Sequence, residues 1–121
     1  MFLIGLTLNP AAIAAGQSLS GPVALGALTL VGISMPAVWT AAGLTFQVSP
    51  DGGVAWQELF DGAGNEVKVV GAAGQFLMLP ALPPYVWRGL NMLQLRSGTA
   101  VSPVNQVAQA IVNVVTRREQ L

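Results

Sequence analysis

Short runs in which apolar and polar residues alternate extend along most of the chain, punctuated by Gly, Pro, Asn and Asp. A period of two puts successive side chains on opposite faces of a strand, whereas a helix repeats at about 3.6 residues. The pattern predicts strands over Phe2 to Leu8, Ser18 to Leu25, Leu28 to Met35, Leu44 to Ser49, Ala55 to Phe60, Glu66 to Val70, Gln75 to Leu79, Gly89 to Arg96 and Ala108 to Thr116. The clearest alternation is LTFQVS, where Leu44, Phe46 and Val48 face one way and Thr45, Gln47 and Ser49 the other, as in a half-buried strand. Asn91, Leu93 and Leu95 oppose Met92, Gln94 and Arg96 in the same manner. The final strand, AIVNVVT, carries Val on both faces, which suits a central or covered position. Val104 to Val115 has partial period-four spacing, but its density of β-branched residues favours strand over helix.

Turn residues support these divisions. Asp51-Gly52-Gly53 and Asp61-Gly62-Ala63-Gly64-Asn65 supply positions that tolerate positive φ, so both are read as loops. The stretch from Pro80 to Trp87 contains three prolines and is read as an extended crossover along an edge, anchored by Tyr85 and Trp87. About eight to nine short strands at this spacing predict an all-β fold, an antiparallel β-sandwich of jelly-roll-like form. Residues 1–121 are expected to form one domain, with 1–10 as an N-terminal arm or extra edge strand and 117–121 as a frayed tail.

The uncharged run from Gly21 to Phe46 is long enough to raise a transmembrane reading. Gly26, Gly32, Pro36 and Gly43, the polar Thr29, Ser34 and Thr40, and the alternation within Leu28 to Met35 argue for strands instead. The opening MFLIGLTLNP lacks the cationic start of a secretory signal, so the chain is read as mature protein throughout.

Composition adds one strong fact. Charged residues make up 8% of the chain against about 25% in an ordinary globular domain, while hydrophobic residues reach 53%. Five Lys+Arg balance five Asp+Glu, and every charged side chain lies after Pro50. A surface this poor in charge keeps copies apart weakly, which points to a subunit covered in its working state. Zero net charge offers no footprint for nucleic acid or for an anionic membrane. The absence of Cys and His removes thiol chemistry, disulfides, cysteine-ligated zinc and the commonest general base.

The most specific local pattern is Ser49-Pro-Asp51-Gly-Gly53-Val-Ala-Trp56. It resembles the Asp-box hairpin, S-x-D-x-G-x-T-W, at Ser49, Asp51, Gly53 and Trp56, with Ala55 in place of the usual Thr. In sialidases and other propellers the box repeats and lies away from the catalytic centre, so the resemblance implies a structural turn. Asp51 accepts backbone amides, Gly53 supplies a left-handed residue, and Trp56 packs across the hairpin base. Asp51, Glu58, Asp61 and Glu66 fall within sixteen residues. Neither a catalytic carboxylate pair nor a calcium site is favoured for them; they are read as solvated surface charge beside glycine-rich turns. Arg88 and Arg96 flank one strand and are read as surface arginines, with a bidentate pair across a subunit boundary as the alternative. Trp39, Trp56, Trp87 and Tyr85 suit core or interface anchors, or a sugar-stacking platform as in carbohydrate-binding modules.

The segments ISMPAVWTAAGLTFQVSPDGGVAWQELFDGAGNEV and RGLNMLQLRSGTAVSP look like a family of small β-sandwich proteins encoded among structural genes of tailed bacteriophages and prophages. The likeness spans most of the chain from Ala14 onwards. It implies a non-enzymatic virion component made in the bacterial cytoplasm, such as a capsid decoration or cement protein or another subunit at the head or tail surface. Its partners would be copies of itself and a major capsid or tail protein, with no cofactor, metal, nucleic acid or membrane, and with a glycan as the alternative ligand. Phe2, Leu3, Ile4, Trp39, Tyr85, Trp87 and Arg88 are the candidate interface residues.

Overall fold

The computed structural model describes residues 6–26, 28–79 and 91–117. Eight strands are formed: β1 (Leu6–Ile13), β2 (Val23–Gly26), β3 (Thr29–Ser34), β4 (Leu44–Ser49), β5 (Gln57–Glu58), β6 (Phe76–Met78), β7 (Asn91–Ser97) and β8 (Ala110–Arg117). They make two four-stranded antiparallel sheets, ordered β1-β8-β3-β6 and β2-β7-β4-β5. No helix occurs among the described residues, and none is long and apolar enough to cross a membrane. The uncharged run from Gly21 onwards is spent on β2, β3 and the start of β4.

The pairing is nested: β4 with β5, β3 with β6, β2 with β7 and β1 with β8. β8 lies inside the first sheet between β1 and β3; Val112 and Val114 face the core, and Val115, on the other face, is fully buried as well. Inward-facing residues of both sheets form one core. Ala11, Leu30, Ile33, Val112 and Val114 of the first sheet meet Val23, Leu25, Leu44, Phe46, Leu93 and Leu95 of the second. Removing a side chain of this size from water contributes about 2 kcal/mol, so these positions are the principal source of cohesion.

Several boundaries differ from the sequence reading. β1 does not stop at Leu8; it continues through Asn9 and Pro10 to Ile13, paired with β8 without interruption. Proline is compatible here because β1 is an edge strand and the missing N–H belongs to the side away from β8. Residues 6–10 thus belong to an edge strand, the second of the two readings for this segment, and not to an arm. Arg117 likewise is no frayed residue, being paired with Leu6 and Thr29 at the end of β8. Glu66 to Val70 forms no regular strand. It runs extended beside β4 and β5, with bridges from Glu66 to Phe60 and from Val69 to Leu44. β4 is more buried than its alternation suggests, because Thr45 and Ser49 on its outward side are fully covered and hydrogen-bonded.

Candidate interaction surface

The Ser49–Trp56 turn has the geometry that its motif requires. Gly53 N–H donates to Ser49 Oγ at 2.7 Å, Ser49 Oγ donates to Asp51 Oδ1 at 2.8 Å, and Ala55 N–H donates to the same oxygen at 2.9 Å. The backbone of residue 55 serves, so Ala satisfies the bond as well as Thr. Gly52 and Gly53 have φ of 76° and 99°, in the left-handed region that favours glycine. The amide of Ala55, then the Ser49 hydroxyl, hold the Asp51 carboxyl below its usual range. Asp51→Ala is expected to lower the melting temperature by a few degrees while leaving the far-UV circular dichroism of the sheets unchanged.

The remaining acids are not all solvated. On the outward side of the second sheet, Arg96 is 7% exposed and its guanidinium grips Glu58 in two-pronged fashion, Nη1 to Oε2 at 2.6 Å and Nη2 to Oε1 at 2.7 Å. Nη1 also reaches Glu66 Oε2 at 3.5 Å, and Gln47 Nε2 donates to Glu58 Oε1 at 2.8 Å. Register explains the convergence: Thr45 faces Arg96 across β4 and β7, and Gln47 faces Glu58 across β4 and β5. Arg96 is therefore no snorkelled surface residue, and its bidentate pair closes within the chain. Glu66 further accepts the amide of Ala100 at 3.2 Å, tying the 57–69 segment to the loop after β7. Asp61 is a turn former that accepts the amides of Ala63 and Asn65. No three acids gather as a metal site among the described residues.

The guanidinium, first through its hydrogen bonds, holds the Glu58 carboxyl below the usual carboxylate range against a smaller opposing effect of burial. A depressed folded-state value stabilises the fold above the unfolded pKa of about 4.3, and that contribution is lost as pH falls through the folded value. Arg96→Met is expected to cost about 2 kcal/mol at neutral pH, below the full penalty of a buried unpaired charge because Glu58 retains contact with water. Urea unfolding of both proteins at neutral pH and near about pH 3 checks the sign: the difference should shrink in acid.

Among the described residues, the outward side of the first sheet groups several exposed apolar side chains around the fully buried Val115. By register, Leu6 and Leu8 of β1, Ile111 and Val115 of β8, and Phe76 and Met78 of β6 share it. Leu6, Leu8, Ile111, Phe76 and Met78 are 61, 58, 45, 50 and 78% exposed. Gly32 lies beneath the Phe76 ring, which would stand 2.8 Å from a Cβ there, so only glycine lets the ring lie flat on β3. Leu6, Val31, Phe76, Met78 and Arg117 line a hollow of about 270 Å³. Among the described residues of these strands, Arg117 is the sole charged group.

Of the candidate interface residues, Trp39 is half-buried against the core, and its Nε1 donates to the Ala42 carbonyl at 3.3 Å. Phe2, Leu3, Ile4, Tyr85, Trp87 and Arg88 lie outside the described residues. Sequence reasoning passed over Gln106, which is 1% exposed. Its Oε1 accepts from Thr40 N–H at 2.8 Å, while Nε2 donates to the Thr40 carbonyl at 3.0 Å and to Ser97 Oγ at 2.7 Å. Gln106 is one of two glutamines in VNQVAQ, and no periodic signal there marks it as buried. No family model, no curated protein and no solved structure matches this chain.

Proposed function

We propose that the protein is a non-enzymatic structural subunit of a tailed-phage virion, a capsid decoration or cement protein or another accessory subunit at the head or tail surface. The observation that carries this reading is the nearly uncharged apolar side of the first sheet, a patch of the kind that soluble monomers rarely leave uncovered. The charge deficit of the whole chain supports it, as does the likeness of its segments to small phage β-sandwich proteins. The sandwich is further proposed to be a jelly roll, a reading supported by the nested pairing of first strand with last and second with seventh, which is the wrapping of two Greek keys.

Mass spectrometry of purified particles from the host that encodes the chain is the direct test. The chain should be present in many copies per particle and should self-associate when purified. Its absence from particles would overturn the reading. Glycan binding that disappears in Trp56→Ala with the fold intact would replace it with a carbohydrate-binding module.

A further inference from the structure

Among the described residues, β1 has a strand neighbour on one side only. The carbonyl of Ala12 accepts from Gly21 N–H at 3.3 Å, so the backbone of Ala12 points away from β8. Alternation gives Pro10, Leu8 and Leu6 the same direction. The amides and carbonyls of Leu6 and Leu8, with the Pro10 carbonyl, therefore form an open edge. Such edges are ordinarily guarded by lysine, by an inward-pointing charge or by a bulge. β1, LTLNPAAI, carries no charge, and its register with β8 runs unbroken, leaving Pro10 as its one guard.

We propose that this edge pairs with the same edge of a second copy, antiparallel about a two-fold axis at Thr7, so that Leu6 of each chain stands opposite Leu8 of the other. The occupant is a second copy because an isologous contact satisfies the β1 edges of both chains at once and closes on itself at that edge. Across Leu6 to Pro10, the proline favours this register. With Thr7 on the axis, both Leu6–Leu8 pairs exchange their full set of backbone bonds; with Leu8 on the axis, Leu6 would face a proline that has no N–H to give. The exposed side chains of Leu6 and Leu8 then cover each other across the seam, continuous with the apolar side of the first sheet. Repulsion is small, since no charged side chain precedes Asp51. The two Arg117 residues, each beside its own Leu6, would stand ~16 Å apart at normal strand spacing, beyond the screening length of ~8 Å at physiological salt.

The inference deepens the self-association in the reading above and rests on it only in that respect; its test needs no particle. The chain contains no cysteine, so one introduced thiol reports one contact. Thr7 is exposed, and a facing pair that exchanges no backbone bonds has Cα atoms about 4.5 Å apart, within reach of a disulfide. Under mild oxidation Thr7→Cys should become a covalent dimer, at least tenfold faster than Met78→Cys on the opposite edge of the same sheet. Leu8→Lys added to Thr7→Cys should suppress the crosslink to the Met78→Cys level. Sedimentation of the unmodified chain against Leu8→Lys alone gives an independent measure, with dimer expected for the first and monomer for the second. Equal crosslinking of Thr7→Cys and Met78→Cys, or a monomeric unmodified chain, overturns the edge contact. A chain found in particles but monomeric in solution removes this inference and leaves the structural-subunit reading; a crosslinked dimer absent from particles does the reverse.

Discussion

Gln106→Leu is expected to lower stability by about 3 kcal/mol, because a near-isosteric apolar side chain leaves three groups without their partner: the amide and carbonyl of half-buried Thr40 and the hydroxyl of fully buried Ser97. Each orphaned group costs about 1–3 kcal/mol, and the serine hydroxyl can rotate to recover part of its share. The backbone of Gln106 is also engaged, with its amide donating to the Gln17 carbonyl and its carbonyl accepting from Gly16. One residue thus joins the β1–β2 connection, the loop ahead of β4 and the end of β7. Urea denaturation should show a lower midpoint with an unchanged slope; an unchanged midpoint would mean that Gln106 holds nothing together.

Gly98→Ala is expected to be of similar size, about 3 kcal/mol, by a different cause. Gly98 has φ of 92°, and a Cβ there would stand 2.6 Å from both the Ser102 carbonyl oxygen and the Val104 amide nitrogen. Both obstacles are backbone, so relief requires the tight turn from Ser97 to Val104 to open. Strain at such a φ costs about 1–3 kcal/mol, and displacing packed backbone adds a comparable amount. Thr45 Oγ1 donates to the Gly98 carbonyl at 2.7 Å, so the shift would also disturb the outward side of β4. Thermal melts should place Gly98→Ala well below the unmodified protein. Gly62→Ala, where nothing lies within 4 Å of the added carbon and no positive φ is required, should melt close to it. Because Gly98 and Gln106 brace the same corner, their double variant should lose less than the sum of the two.

What the sequence discloses about this fold depends on whether a residue's environment is local. The bounds of β4 read correctly from LTFQVS, since the alternation lies within it and the turn follows directly, though not the burial of Thr45 and Ser49. The Asp51 and Asp61 turns read correctly for the same reason, their bonds closing within four residues. Asn9-Pro10 misleads because proline ends a strand only where its amide is needed, and that depends on which neighbour stands on which side. Arg96 misleads more severely. Its acids come from residues 58 and 66, and only the order β7-β4-β5 brings them beside it. Gln106 is invisible for the same cause, its partner Thr40 being 66 residues away in sequence.

The position of β8 carries a consequence for synthesis on the ribosome. The first sheet needs its last strand in the interior, between β1 and β3, so until residues 110–117 emerge these two strands have no partner to join them. The nascent chain can close β4 against β5 and β3 against β6 early, working outward from the innermost hairpin. β1, although it precedes the other seven strands, has to wait until residues 110–117 emerge before it is held. A truncation ahead of residue 110 would therefore release a chain whose eight-residue β1 is unclaimed by β8, a form open to capture by a chaperone or a protease.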